Sequence, residues 1–170
     1  MSNLLKVVVF SLCVIGLYTL FAQNFTPAIK PEQPPVDEAV SSSMTTQELV
    51  ALGERLYNGK GACGLCHNAV GGRAPLLDAI AFKAIERIKE PGYKGTAKDA
   101  AAYIYESMTA PSAYVVPGYG VAGSYDKQSP MPDVSKEPIG LGTIELSAVT
   151  AYLQRRSGAQ VTVQAGNMRE

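Results

Sequence analysis

The residues best placed to do chemistry lie within five consecutive positions, Cys63-Gly64-Leu65-Cys66-His67. Two thiols separated by two residues, with an imidazole directly after the second, make the C-x-x-C-H pattern of covalent haem attachment. Thiols at this spacing can add to the two vinyl groups of one haem, and the adjacent His67 then brings its imidazole beneath the iron. Two other chemistries use a C-x-x-C pair. A structural zinc site needs four ligands. The chain has only three cysteines and one histidine, and the third cysteine, Cys13, sits far upstream in an apolar stretch. A thioredoxin-like pair belongs to a βαβ context, whereas the flanks here read as helical. One histidine also rules out bis-His ligation and a second haem with its own His.

The elements that must position this motif follow from periodicity and caps. Thr45 with Glu48 three residues on forms a capping box. Leu49, Leu52, Leu56 and Tyr57 then recur at helical spacing, which predicts a helix to about Asn58 that stops at Gly59 or Gly61. The motif follows at once. A second helix is expected over Leu76–Lys89, with Leu77, Ile80, Ala81, Ala84, Ile85 and Ile88 as its stripe and Pro91-Gly92 as its end. Asp99–Met108 reads as a third helix. The Pro- and Gly-rich stretch Thr109–Leu141 reads mostly as loop. Thr143 caps a last helix with Ile144, Val149, Tyr152 and Leu153 inward, Arg155-Arg156 suiting its C-terminal dipole, and Gly158 stopping it. Residues 159–170 read as a polar, mobile tail.

Upstream, Val7–Ala22 carries no charge. A membrane helix wants about 20 mainly apolar residues, which Leu4–Phe25 nearly supplies, with Lys6 able to snorkel. A cleaved signal peptide is the competing reading, but Leu20 two residues before Ala22 fits an A-x-A cleavage pattern poorly, so an uncleaved anchor over residues 1–25 is favoured. Cys13 follows Leu12 where a lipoprotein signal would place a small residue, and reads as a lipid-facing or packed thiol. The positive flank suggests a cytoplasmic N-terminus. Residues 26–44 are rich in Pro and Ser without apolar periodicity and read as a semi-extended linker. Formal net charge is zero, with 15 basic and 15 acidic residues, and no Lys/Arg-rich run is present, so nothing points to nucleic acid.

In the order of these features, over roughly Thr46 to Gly158, the chain resembles the class I cytochrome c family. The order is an N-terminal helix carrying Gly53 and Tyr57, C-x-x-C-H, a Pro-containing loop, a Met-Pro loop, and a C-terminal helix ending Ala-Tyr-Leu. A class II cytochrome carries its motif near the C-terminus of a four-helix bundle, unlike a motif at position 63. The resemblance implies an all-α fold, a small cytochrome c domain (45–158) of three to five helices around one haem c, on an N-terminal transmembrane helix and linker. It implies that the first and last helices cross near Gly53, with Tyr152 and Leu153 as partners. It further implies a methionine opposite His67. Met131, in Ser-Pro-Met-Pro, is favoured because flanking prolines stiffen its loop; Met108 is the runner-up, with core filling as its alternative role. Met44 and Met168 lie outside the domain proper. A proline carbonyl that receives the free His nitrogen would here be that of Pro75, and such bonds orient a ligand ring. The segment Ala113–Tyr119 looks like one seen in cytochrome subunits of bacterial respiratory complexes, so Tyr114 and Tyr119 are candidates to wall the haem or bond its propionates. Arg73 and Lys60 are candidates to neutralise those propionates.

The function so implied is one-electron transfer in a membrane-bound electron-transport chain, with thioether ligation favouring the reduced state, and no catalysis by the chain itself. The expected location is a bacterial inner membrane, single-pass, with the haem domain on the periplasmic side and redox proteins or respiratory-complex subunits as partners. A fixed subunit of an oxidase or quinol-oxidising complex is the alternative. A haem sensor or catalyst, which needs an open iron position, is more distant.

Overall fold

In the computed structural model, residues 2–25 and 43–165 are described. Most of the expected linker (26–42) and the last five residues of the expected tail lie outside them. The chain divides into two units, Met1–Glu38 and Ala39–Glu170.

The first unit contains one helix, α1, Asn3–Phe25, of 23 residues with a mean hydropathy of 2.3 and no buried residue. At 1.5 Å per residue it is about 35 Å long, enough for a bilayer's hydrocarbon core of about 30 Å. Two of its polar side chains bond back to its own backbone: Thr19 Oγ1 donates to the Ile15 carbonyl at 2.8 Å, and Asn24 Nδ2 to that of Leu20 at 2.9 Å. Such back-bonding hides polar groups from lipid. The helix is therefore long and apolar enough to span a membrane, a test that a signal sequence also passes.

The second unit is helical throughout its regular structure. Helix α2, Thr46–Asn58, starts at the capping box: Glu48 N–H donates to Thr45 Oγ1 at 3.3 Å and Thr45 N–H to Glu48 Oε2 at 2.8 Å. Leu49, Leu52, Gly53, Leu56 and Tyr57 form its buried face. That face packs on the last helix, α5, Thr143–Arg156. At their crossing a Cβ added to Gly53 would strike the Ala148 carbonyl and lie 2.8 Å from Tyr152 Cβ. The missing side chain lets the backbones meet, and the Tyr57 and Tyr152 rings pack beside it, centroids 5.4 Å apart. Leu153 is buried in the same core. Helix α5 begins one residue earlier than a Thr143 cap would have it. Gly142 is the cap residue, and its N–H donates to Glu145 Oε2 at 2.7 Å.

Two shorter helices, α3 (Ile80–Arg87) and α4 (Ala100–Thr109), pack on each other and on α5. Helix α4 is capped by Asp99, whose carboxylate accepts from Ala102 N–H at 2.9 Å. Helix α3 is shorter than its apolar stripe suggests. Leu76 and Leu77 precede it in non-helical backbone, and Leu77 still packs on the core from there. Its first turn takes a cap from outside: Ala81 N–H donates to Ser157 Oγ at 3.2 Å.

The tail expectation needs correction for residues 159–165. Val163 and Ala165 are buried, and Gln154, itself buried on α5, exchanges two hydrogen bonds with Thr162. A buried carboxamide needs partners for both its ends, and the returning segment supplies them through Thr162. The signal was the alternation of Val161, Val163 and Ala165 with Thr162 and Gln164, a period of two rather than of 3.6.

Candidate haem-attachment site

The motif sits on a 3-10 turn, Cys63–Leu65, immediately after α2. The Cys63 carbonyl accepts from both Cys66 N–H (3.2 Å) and His67 N–H (3.0 Å). This winds the segment into one helical turn and sets Cys63 and His67 four residues apart on it. Asn68, which sequence reasoning overlooked, closes the turn. Its Nδ2 donates to the Gly64 and Leu65 carbonyls (2.9 and 3.0 Å), and its Oδ1 accepts from Val70 N–H at 2.8 Å. The signal was available in residue type, since Asn readily caps a turn with its side chain.

After Asn68 the chain doubles back through Gly71 (φ 89°) and Gly72 (φ 56°), both in the left-handed region. The return brings the Pro75 carbonyl oxygen to 2.7 Å from His67 Nδ1. A carbonyl only accepts, so Nδ1 carries the proton and Nε2 keeps its lone pair. Burial, aided by the charge of Arg87, holds the His67 pKa below its ordinary value, against the opposing effect of the Pro75 bond. The imidazole is thus neutral at neutral pH, the form that ligates a metal. Tyr57 packs behind the motif, its hydroxyl 3.5 Å from the His67 carbonyl oxygen. Arg156 in turn stacks 5.3 Å over the Tyr57 ring and pairs with Asp78 at 2.6 Å.

Cys63 and Cys66 are free thiols. Cys63 is half-buried, and burial pushes its pKa up to about 11, with proximity to Cys66 a smaller cause. Cys66 is exposed. Among the described residues, no three His, Cys, Asp or Glu side chains converge as metal ligands. The site thus brings two unpaired thiols, Cys63 with its Sγ 3.7 Å from the Gly61 carbonyl oxygen, beside a neutral imidazole whose Nδ1 is already engaged.

Met131 is half-buried and packs against the core. Its N–H donates to Ser129 Oγ at 3.1 Å, and its loop is tied to the end of α4 by Val134 N–H on the Met108 carbonyl at 3.0 Å. Met108 is 4% exposed and belongs to the core cluster. Tyr114 leans on Tyr93 and Tyr103, both at 6.4 Å between centroids, so it has a packing role of its own. Tyr119 is half-buried in the loop that Asp126 organises by accepting from Gly118 and Gly120 N–H, each at 2.9 Å. Lys60 is engaged elsewhere, donating to Glu145 and to the Gly140 carbonyl at 3.1 Å. Arg73 is exposed.

No model of a protein family matches this chain, and no curated protein matches it. The site therefore stands on its own geometry. Two surface grooves, of 310 and 450 Å³, lie away from it. One is lined by Glu90, Lys94, Tyr114 and Val115, the other by Arg155, Gln160 and Val161, and neither includes Cys63, Cys66, His67 or Met131. Large apolar side chains instead stand exposed along the segment that carries and follows the motif: Leu65, Val70, Leu76, Phe82 and Ile85.

Proposed function

We propose that this chain is a membrane-anchored, monohaem class I c-type cytochrome that transfers single electrons. The observation that carries the reading is the His67–Pro75 bond beside two free thiols: it fixes the imidazole tautomer with Nε2 open, as an axial ligand requires. A haem c bound here supplies the Fe(II)/Fe(III) couple. Cys63 and Cys66 are the residues that would hold the group covalently, and His67, its Nδ1 proton kept on Pro75, would be an iron ligand. Met131, half-buried in a loop pinned to α4, would supply the second iron ligand; Met108, committed to the core, would not. Leu65, Val70, Leu76, Phe82 and Ile85 keep water from the cofactor and from the contact with a redox partner. Tyr119 remains a candidate for the wall or the propionates, and Tyr114 contributes through its aromatic packing.

Helix α1 anchors the protein in a bacterial inner membrane by a single pass, with the haem domain on the periplasmic side. Its partners are redox proteins in that membrane system. A fixed place in a respiratory complex is the second reading, favoured by the ordered loop around Asp126, which presents Val121 and Tyr125 to solvent.

Expression with and without a periplasmic haem-attachment system tests the proposal. The expected result is a reducing, denaturing gel in which haem stays with the chain only when that system is present and both cysteines are intact. A chain that carries no haem under those conditions refutes it.

A further inference from the structure

Three tyrosines outside the motif pack together, and one of them is hydrogen-bonded to a carboxylate. Tyr93, Tyr103 and Tyr114 form a triangle of rings with centroids 6.1 to 6.4 Å apart, between the α3–α4 connection, α4 and the loop after it. Tyr103 is buried, and the other two are half-buried. Tyr93 differs from its neighbours in what its hydroxyl touches. It donates to Glu106 Oε2 at 2.5 Å and accepts from Ala97 N–H at 2.6 Å. The other carboxylate oxygen, Oε1, accepts from Thr96 N–H at 2.6 Å and from Thr96 Oγ1 at 3.2 Å. Three donors thus converge on one carboxylate. Gly95 leaves the room: a Cβ there would collide with the Glu106 carboxylate and lie 2.5 Å from the Tyr93 hydroxyl.

We propose that Tyr93 and Glu106 form a one-electron, one-proton donor site, reached through the rings of Tyr103 and Tyr114, that yields its electron to a strong one-electron oxidant such as a small oxidising radical. One electron leaves Tyr93 for the oxidant. The phenolic O–H bond breaks, and the proton crosses the short hydrogen bond to Glu106 Oε2, leaving a neutral tyrosyl radical and a carboxylic acid. One electron from an external reductant such as ascorbate reverses the step, and the proton returns to the phenol. The pair carries one negative charge before the step and none after it, the electron having gone to the oxidant, so no new ion is created in a partly buried place, where it would be costly. Among the described residues, Tyr93 is the tyrosine hydrogen-bonded to a carboxylate, so the radical settles there rather than on Tyr103 or Tyr114. Burial, and the bond to Glu106, push the phenol pKa up to about 12, so the proton is in place before oxidation.

The competing role is structural: Glu106 brackets the α3–α4 connection and nothing more. Glu106→Gln separates the two, because a carboxamide oxygen still accepts from Thr96 but takes no proton. The full chain in detergent, with any haem kept ferric, is oxidised by photogenerated tris-bipyridine ruthenium(III). The radical is followed by transient absorption and by electron paramagnetic resonance after freezing. The wild type is expected to form a persistent tyrosyl radical with a solvent deuterium effect on its formation. Tyr93→Phe removes the persistent signal, whereas removal of the most exposed tyrosine by Tyr125→Phe (89% exposed) leaves it. Glu106→Gln slows formation by about a hundredfold, the low end of what a positioned proton acceptor contributes, and cancels the deuterium effect. A signal that survives Tyr93→Phe but disappears with Tyr125→Phe, or an unchanged rate in Glu106→Gln, overturns the proposal. If Tyr93→Phe loses its helical circular dichroism, the Glu106→Gln rate alone decides. None of these readouts depends on haem, so they stand or fall apart from the cytochrome reading.

Discussion

His67 Nδ1 lies 2.7 Å from the carbonyl oxygen of Pro75. The acceptor is backbone, so the bond depends on the path of residues 68–75 rather than on the proline side chain. Asn68 starts that path by closing the motif turn, and Gly71-Gly72 reverse it with two left-handed residues. The imidazole is thereby oriented from behind by a rigid return loop and left open in front, an arrangement that holds a ligand ring still while its lone pair is used.

Ligation by Met131 makes a paired prediction. Met131→Ala is expected to abolish the weak sulfur-to-iron absorption at the red edge of the oxidised spectrum while the domain stays folded. Met108→Ala is expected to keep that band and to lose about 2–5 kcal/mol of stability, the usual cost of truncating a buried methionine. Denaturant titration of both variants alongside their spectra checks this, and the reverse pattern refutes the assignment.

The α2–α5 crossing makes the second. Gly53→Ala places a methyl group against the Ala148 carbonyl, which is backbone and cannot rotate away. Overpacking of this kind costs about 1–3 kcal/mol and sometimes more, and here the upper end is expected. A Gly53→Ala chain with an unchanged thermal midpoint would show that the crossing is loose.

Much of this architecture is legible in the amino-acid sequence, because it is written in local rules. The Thr45–Glu48 box, the stripe from Leu49 to Tyr57, the Asp99 cap and the stop at Gly158 each act within a few residues. What is not legible depends on distant partners. Helix α3 takes its cap from Ser157, just past α5, and so begins at Ile80, although Leu76 and Leu77 extend the stripe. Lys60 reads as a free charge beside the motif, yet Glu145, far along the chain, holds it. The last residues read as a tail because Gln154 and Thr162 meet only once the chain has turned back. At the site, the motif and Pro75 are readable from residue type and spacing. Asn68 acts locally and is readable too, but the support from Tyr57 and Arg156 is not, since it emerges only when the loop and the two helices come together.

The two thiols should react unequally in the haem-free chain. The thiolate is the nucleophile. A Cys63 pKa near 11 instead of 9.0 lowers its thiolate fraction about a hundredfold below both values. Exposed Cys66 should therefore be alkylated by iodoacetamide well before half-buried Cys63, as read by peptide mass spectrometry under mildly alkaline conditions. In the mature, haem-bearing chain both should be unreactive. Equal labelling of the two in the haem-free chain would count against the burial of Cys63.

Alkaline pH should weaken the fold through Tyr93. Its folded pKa, pushed up to about 12, exceeds its ordinary value of 10.0. The unfolded chain therefore loses this proton first. The stabilisation is complete below about pH 10 and is lost as pH rises from there through about 12. Tyr57 and Tyr114, also raised by burial, add slope of the same sign. The urea midpoint should fall across this window, and Tyr93→Phe should show a shallower fall than wild type. An identical slope in the variant would remove Tyr93 as a contributor.

Docking of a redox partner should depend little on salt. From Thr45 to Glu170 the sequence has 13 Lys/Arg and 12 Asp/Glu, a net charge of +1. Lys60, the nearest lysine before the motif, is occupied by Glu145, which leaves Arg73 as the exposed cation beside it in sequence. Charge steering needs a dense patch of one sign and falls steeply with ionic strength, and no such patch surrounds Cys63–His67 among the described residues. The flanking side chains are apolar and exposed instead: Leu65 at 73% and Val70 at 84%. The proposed membrane tether would also raise the local concentration of any partner in the same bilayer, which lessens the need for long-range attraction. Contact is therefore expected to be short-range and apolar, centred on Ala62, Leu65 and Val70. The rate of electron transfer to the physiological partner should be nearly flat between low and moderate salt. Leu65→Asp and Val70→Asp should slow it clearly in chains that still carry haem. A fall of about tenfold or more with salt in the wild type would show that charge, not apolar contact, brings the partners together.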